Sequence, residues 1–203
     1  EEVSITRGLL SGQEVKYSGK MYAANVVRLE YDLTRGQVPV LVAAMGQKML
    51  FLCGELADGL LIGNMCPPAF TQRASGRLRE GAARVPRQPP RQMTKYLPCV
   101  VHKDGDAARK IARNAIGKTL SSFWQAYQAA PAALSAIRDG NAIEADRFEK
   151  ALARLANGEP GERVLGDTFV EAYGVAGTTD DCVEQVLALK HSGVTQVTLT
   201  MLG

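Results

Sequence analysis

Apolar positions along this chain fall into two alternating patterns. Short runs rich in Val, Leu and Ile, ended by Gly, Asn or Pro, predict strands at 38–43, 59–62, 94–102 and 196–201. Between them apolar residues recur at helical spacing and predict helices at 48–57, 68–84, 106–116 and 180–191. The runs VPVLVAA and GLLIG carry no polar alternation, which suits parallel strands buried on both faces. In the first helix Met49, Leu52, Cys53 and Leu56 predict the inner face. In the last, Thr178 and Asp181 fit a capping box ahead of Val186, Leu187 and Leu189, and Ser192-Gly193 ends the helix. Strand–helix alternation of this kind predicts an α/β fold with a parallel sheet covered by helices.

Two segments break the alternation. Residues 13–37 hold Tyr17, Gly19, Tyr22 and Val26-Val27-Arg28-Leu29 between glycines and predict a small inserted hairpin. Residues 120–166 are Ala-rich and broken at Pro131, Gly140 and Asn157-Gly158, which predicts a helical insertion over one end of the sheet. No repeat other than the β/α alternation occurs, so residues 1–203 are read as one domain.

Composition narrows the function classes. A net charge of +3 without a long run of one sign removes the electrostatic case for nucleic acid or an anionic membrane. Arg73, Arg77, Arg79, Arg84, Arg87 and Arg91 have no aromatic residues interleaved for base stacking, and the spacing of 73 and 77 predicts a solvated helix face. No stretch approaches the roughly 18–20 apolar residues of a membrane span. Residues 1–12 lack the layout of a signal peptide, which points to a cytoplasmic protein. Cys53, Cys66, Cys99 and Cys182 are scattered with no C-x-x-C pair and predict buried reduced thiols rather than a metal site.

The stretch from Val38 to Met49 carries the clearest chemical signal. A buried strand runs into small residues and then into a helix. Small residues admit a ligand close to the backbone, and the unpaired N–H groups of a helix start favour an anion. Ala43, Ala44, Met45, Gly46 and Gln47 are therefore candidate cofactor-binding positions; a tight turn without a ligand is the competing reading. Gly63 and Asn64 follow the next strand, face the same edge and are candidate substrate-binding positions. Asp58 and Gly59 precede that strand and suit a turn with a stabilising role. His102 closes a strand and His191 sits in the last turn of a helix, where the dipole favours it, so neither is a strong catalytic candidate. The chain has no H-E-x-x-H, G-x-S-x-G, phosphate-loop or G-x-G-x-x-G pattern, and no catalytic residue is assigned.

The run VPVLVAAMGQKMLFLCGELADGLLIGNM resembles the luciferase-like flavin- and deazaflavin-dependent oxidoreductases. The features that carry the likeness are the loop Ala43-Ala44-Met45-Gly46, the pair Gly54-Glu55 and the turn Ala57-Asp58-Gly59. REGAAR at 79–84 is similar to the family's next helix end, and VAGTTDDCVEQVLALKHSGVTQVTL to its Ala-Gly-Thr turn, helix and last strand. The opening ITRGLLSGQEVKYSGKMYAANVVRLEY resembles the helix and insertion before the family's fifth strand. The order and spacing of these motifs look closest to the branch of methylenetetrahydromethanopterin reductases. Where members commonly carry Gly-Pro-Lys, this chain has Gly46-Gln47-Lys48, which keeps an extra backbone N–H.

The resemblance implies a parallel (β/α)8 TIM barrel, here a partial barrel covering about the last four β/α units. It implies coenzyme F420 or FMN as cofactor, with Ala43 to Gln47 near its phosphate or side chain. Hydride transfer or monooxygenation of a small organic substrate would follow. The ring-side contacts and catalytic residues are expected upstream of Glu1, so this chain on its own is expected to be an inactive fragment that dimerises, aggregates or folds marginally, because a four-strand sheet leaves open edges. The alternative is a non-catalytic half-barrel that binds flavin or serves as a dimerisation module.

Overall fold

The two periods resolve into nine helices and seven strands among the described residues. The computed structural model describes residues 1–35, 38–86, 88–140 and 142–202; Gly36 and Gln37, at the end of the 13–37 segment, and Arg87 lie outside the described residues. Helix α1 (Glu2–Leu10) leads into a hairpin of β1 (Val15–Ser18) and β2 (Ala23–Val27), paired antiparallel. The Glu1 carboxylate accepts backbone N–H bonds from Lys20, Met21 and Tyr22 and so pins the hairpin turn. Strand β3 (Leu41–Ala43), α2 (Gln47–Leu56), β4 (Gly59–Ile62), α3 (Pro68–Ala82) and β5 (Gln92–Val101) then alternate. Five helices follow: α4 (Gly105–Gln128), α5 (Pro131–Arg138), α6 (Ala145–Ala156), α7 (Gly161–Val164) and α8 (Asp167–Tyr173). The chain closes with β6 (Val175–Gly177), α9 (Thr179–His191) and β7 (Gln196–Met201).

Strands β3, β4, β5 and β7 pair side by side, all parallel. Cys99 of β5 pairs with Met201 on β7 and with Val175 on β6, so β6 takes the side opposite β7 and continues the track of β4. The sheet thus has five strands where four were expected. Val175–Gly177, expected as a turn, is a strand too short to show a period, and all three of its residues are buried.

Strand alternation divides the sheet into two faces. On the outer face Leu60, Ile62 and Met93 pack against Leu50 and Cys53 of α2 and Phe70, Ala74 and Leu78 of α3. Further along, Leu97 and Cys99 pack against Cys182 and Leu189 of α9. On the inner face, at the C-terminal ends of the strands, Met65, Val100 and Ala176 join a third core built from α4, α6 and α8, including Ala112, Ile116, Phe148, Leu152, Phe169 and Tyr173. The Phe148 and Phe169 rings stack with centroids 6.0 Å apart, and the Tyr173 hydroxyl donates to the Ile137 carbonyl at 2.9 Å. The helical segment is therefore a roof over the C-terminal edge of the sheet.

Four further expectations change in the structure. The inner face of α2 is Leu50, Cys53 and Gly54, while Met49 and Leu52 are 47% and 39% exposed. The reason is the crossing with α3. A Cβ on Gly54 would lie 2.2 Å from the Leu78 carbonyl oxygen, and one on Gly81 would lie 2.0 Å from that of Phe51. The helices approach through their smallest residues, and the larger apolar ones are turned aside. On α9, Leu187 is 61% exposed although its neighbours Val186 and Leu189 pack inward. Arg77 is half-buried and stacks at 5.3 Å over Phe51, so that part of the arginine face is packed rather than solvated. Helix α4 also extends beyond residue 116, to Gln128.

Candidate functional site

The loop Ala43 to Gln47 joins β3 to α2 at the C-terminal edge of the sheet. Ala44 is buried, Met45 packs against two of the cores, and Ala43 and Gln47 are exposed. Gly46 is the N-cap of α2 in extended conformation and supplies no side-chain cap; the first turn has no acid and carries Lys48. Such a helix start leaves backbone N–H donors and the positive dipole end facing outward. A Cβ on Gly46 would meet nothing within 4 Å.

Ala43 pairs with Leu61 in the parallel register, which places Gly63 beside the loop that carries Gly46. Gly63 and Asn64 are exposed, and a Cβ on Gly63 also meets nothing within 4 Å. The structure therefore brings the two groups of predicted positions to adjacent strand ends on one edge. The turn after β4 is closed by the Cys66 N–H donating to the Gly63 carbonyl at 3.2 Å. Beneath it, Lys95 of β5 is fully buried and its Nζ donates to the Cys66 carbonyl. Lys95 thus ties the central strand to the turn that presents Gly63 and Asn64. Burial pulls its ammonium down to about 8 and pushes the neighbouring Cys66 thiol up to about 11. All four cysteines are buried, and none is in a disulfide.

The opposite edge is built differently. The Asp58 carboxylate accepts from the Val40 N–H at 2.9 Å and pairs with the Arg7 guanidinium at 2.9 Å, and the Asp58 N–H donates to the Val40 carbonyl. These bonds fasten β3 to β4 and α1 to both, the stabilising role that the turn predicts. A cleft of about 840 Å³ lies at this N-terminal edge, lined by Arg7, Val38, Pro39, Glu55 and Leu56 among others, away from Gly46 and Gly63.

His102 donates its backbone N–H to Gly177, and its Nδ1 bonds the backbone of Asp104 at the entry to α4. It closes a turn there. His191 is exposed at the end of α9. Among the described residues no group of three or more His, Cys, Asp or Glu side chains could hold a metal ion, and no helix is long and apolar enough to cross a membrane.

Sequence reasoning passed over one feature, the inner face of β5 and β7. Gln92 Nε2 donates to Gln196 Oε1 at 2.6 Å, and the Thr94 hydroxyl bonds the same oxygen at 3.1 Å. The signal was present in QVTLT, where Gln196, Thr198 and Thr200 alternate with Val197 and Leu199.

Comparisons with known proteins agree with this architecture. The model of the luciferase-like monooxygenase family matches residues 1–196. The chain is 29% identical over 202 residues to the 5,10-methylenetetrahydromethanopterin reductase of Archaeoglobus fulgidus, covering 97% of this chain and 58% of that protein. The coenzyme F420 dependent tetrahydromethanopterin reductase of Methanopyrus kandleri superposes with a TM-score of 0.72 at 21% identity, over 97% of this chain and 55% of that one. An F420-dependent secondary alcohol dehydrogenase, solved with an F420–acetone adduct, gives a TM-score of 0.67 at 18% identity over 98% and 54%. Both likenesses to solved structures are of fold. The chain spans about half the length of these relatives. With a parallel α/β sheet matching about half of a TIM barrel and a family match across nearly all its residues, the chain belongs to the luciferase-like monooxygenase family.

Proposed function

We propose that this chain is the part of an F420- or FMN-dependent oxidoreductase that holds the anionic end of the cofactor and one wall of the substrate chamber. The observation that carries the reading is the uncapped start of α2, with Gly46 facing open space beside Gly63 at the C-terminal edge of the sheet. Active sites of barrel folds are built at that edge. The residues fit an anion: backbone donors, no acid in the first turn and the cation of Lys48. Ala43 lets the ligand approach the backbone while Ala44 anchors the loop in the outer core, the Gln47 to Met49 N–H groups bind its phosphate, and Gly63 and Asn64 border the space beside it. A bound F420 or FMN would supply the hydride chemistry, for reduction or for monooxygenation. The roof formed by α4 to α8 covers the neighbouring part of this edge, over Met65, Val100 and Ala176.

The same reading takes residues 1–203 as one luciferase-like domain with insertions at 13–37 and 120–166, working on a small organic molecule in the cytoplasm, where free thiols persist. A homodimer is part of it. Met49 and Leu52 on α2 and Val183 and Leu187 on α9 are exposed apolar residues that further protein would cover. They also favour the second reading, a half-barrel that binds flavin or serves as a dimerisation module without catalysis.

The test is Gly46→Glu in the intact gene product, titrated with coenzyme F420 and with FMN by fluorescence quenching. A carboxylate in the anion cradle lowers affinity for the bound cofactor at least 10-fold. Unchanged affinity rules out this assignment. Cofactor binding by a dimer without turnover would favour the second reading.

A further inference from the structure

The inner face of β5 and β7 is rich in uncharged polar side chains. Gln196, Thr198 and Thr200 of β7 share this face, and the register aligns Thr94 with Gln196, Tyr96 with Thr198 and Pro98 with Thr200. The hydrogen bonds among Gln92, Thr94 and Gln196 confirm which side these positions occupy, and they consume the polar groups at the bottom of the face. The next layers up are different. Tyr96 is 41% exposed between buried Lys95 and Leu97, and no partner is found among the described residues for the hydroxyls of Tyr96, Thr198 or Thr200. Extending the β4–β5 register by one residue beyond Ile62–Lys95 sets Gly63 opposite Tyr96. Above them Val100 belongs to the helical roof. The free hydroxyls therefore lie between a satisfied floor and an apolar roof, next to the open space at Gly63.

No charged side chain occupies the inner positions of β3, β4, β5 or β7: they are Leu41, Ala43, Gly59, Leu61, Gln92, Thr94, Tyr96, Pro98, Gln196, Thr198 and Thr200. The one buried cation of these strands, Lys95, points to the outer face. A wall of this kind offers donors and acceptors but no countercharge, so it stabilises a neutral polar group and penalises an ion removed from water.

We propose that Tyr96, Thr198 and Thr200 form the substrate-recognising wall of the chamber, and that the substrate end resting on it is a neutral carbonyl or hydroxyl rather than a phosphate or carboxylate. The proposal rests on the oxidoreductase reading above. The Tyr96 phenol donates to the substrate oxygen, and the threonine hydroxyls fix its orientation. These are positioning residues, and their removal raises KM while leaving kcat within a few-fold.

The experiment uses the intact gene product with the cofactor that quenches its fluorescence. Neutral probes (cyclohexanone, cyclohexanol and benzaldehyde) are compared with anionic ones (glucose 6-phosphate and levulinate). Turnover or saturable binding is expected for at least one neutral probe and for neither anion. Tyr96→Phe and Thr198→Val each raise KM or Kd for that probe about 3- to 10-fold, as the loss of one hydrogen bond requires. Cofactor affinity stays within twofold, and Thr198→Ser restores the wild-type value, which a purely structural role would not predict. Preference for an anionic probe, no interaction with any neutral one, or unchanged KM and Kd in both variants overturns the proposal. Absence of cofactor binding in the wild-type protein overturns the oxidoreductase reading first and this proposal with it.

Discussion

Replacing Gly54 by alanine should destabilise the protein, although alanine is the better helix former. Intrinsic propensity alone favours the change by about 1 kcal/mol in a helix interior. The structure opposes it, because the new Cβ would lie 2.2 Å from the Leu78 carbonyl oxygen and 2.9 Å from its carbonyl carbon. Ordinary contact begins at 3.4 Å, so α2 and α3 would have to separate by roughly 1 Å, and a gap of that size forfeits a quarter to a half of the dispersion well of each contact across it. The contacts at stake are those of Leu50, Cys53, Phe70, Ala74 and Leu78, all buried in one core. Overpacking of this kind costs about 1–3 kcal/mol or more, which leaves a net loss of up to about 2 kcal/mol after the propensity gain. Gly76 on α3 provides the internal control: a Cβ there meets nothing within 4 Å, and Gly76→Ala should stabilise by up to about 1 kcal/mol. Thermal and urea unfolding followed by circular dichroism at equal protein concentration measures both, with a midpoint shift of about 2–4 °C per kcal/mol for a domain of this size. The same substitution should move stability in opposite directions. If both variants are stabilised alike, the close helix crossing is not as described.

Two further predictions follow from other buried and capping groups. Burial lowers the pKa of Lys95 from 10.5 to about 8, so below pH 8 the folded state bears a buried ammonium that the unfolded state solvates. This costs on the order of 3 kcal/mol, and the cost fades as pH rises from 8 to 10.5. Wild type should therefore gain stability over that range relative to Lys95→Met in urea titrations, and parallel pH profiles for the two proteins would refute the assignment. Thr178→Ala removes the acceptor for the Asp181 N–H and half of the capping box of α9, at about 1 kcal/mol. The Asp181 carboxylate is held below its usual value by the Thr178 backbone N–H and then by the Thr178 hydroxyl, so its contribution is present above the ordinary Asp range and is lost as pH falls through the lowered value; the variant should lose less stability on acidification than wild type, and parallel acid-unfolding curves would refute this.

The readability of each element follows from what forms it. The strand 59–62 and the capping box at Thr178 were legible because a buried run and a short-range cap are local properties. The face of α2 was not, because it depends on how closely α3 approaches, and hydrophobic periodicity weighted Met49 and Leu52 over the decisive Gly54. Strand β6 was missed because three residues cannot display a period, and its assignment comes from the partner that Cys99, Val100 and Val101 provide. The place of residues 43–47 between a strand and a helix, and of Gly63 after a strand, follows from the local pattern. The hydroxyls of Tyr96, Thr198 and Thr200 were not singled out, because both strands that carry them were read only for their apolar residues. Their common face emerges only once the register sets β5 beside β7.

The two ends of the sheet divide stability from chemistry, and hydrogen-bond satisfaction separates them better than volume does. At the N-terminal ends Asp58 is bonded to the backbone of the adjoining strand and to Arg7, so these two charged groups lining the 840 Å³ cleft are already engaged in holding β3, β4 and α1 together. At the C-terminal ends the α2 donors lack a side-chain cap, Gly46 and Gly63 face open space, and the buried cation of β5, Lys95, is turned outward to brace the turn at Cys66. A buried lysine in that position is destabilising at neutral pH, and a methionine would fill the outer core without the charge. What the lysine adds is a hydrogen bond to the Cys66 carbonyl, which fixes the turn presenting Gly63 without placing a charge on the inner face. In the proposed reading the same side chain serves both halves of the site: it stiffens the edge that would hold an anion at Gly46, and it leaves the chamber wall neutral for an uncharged substrate.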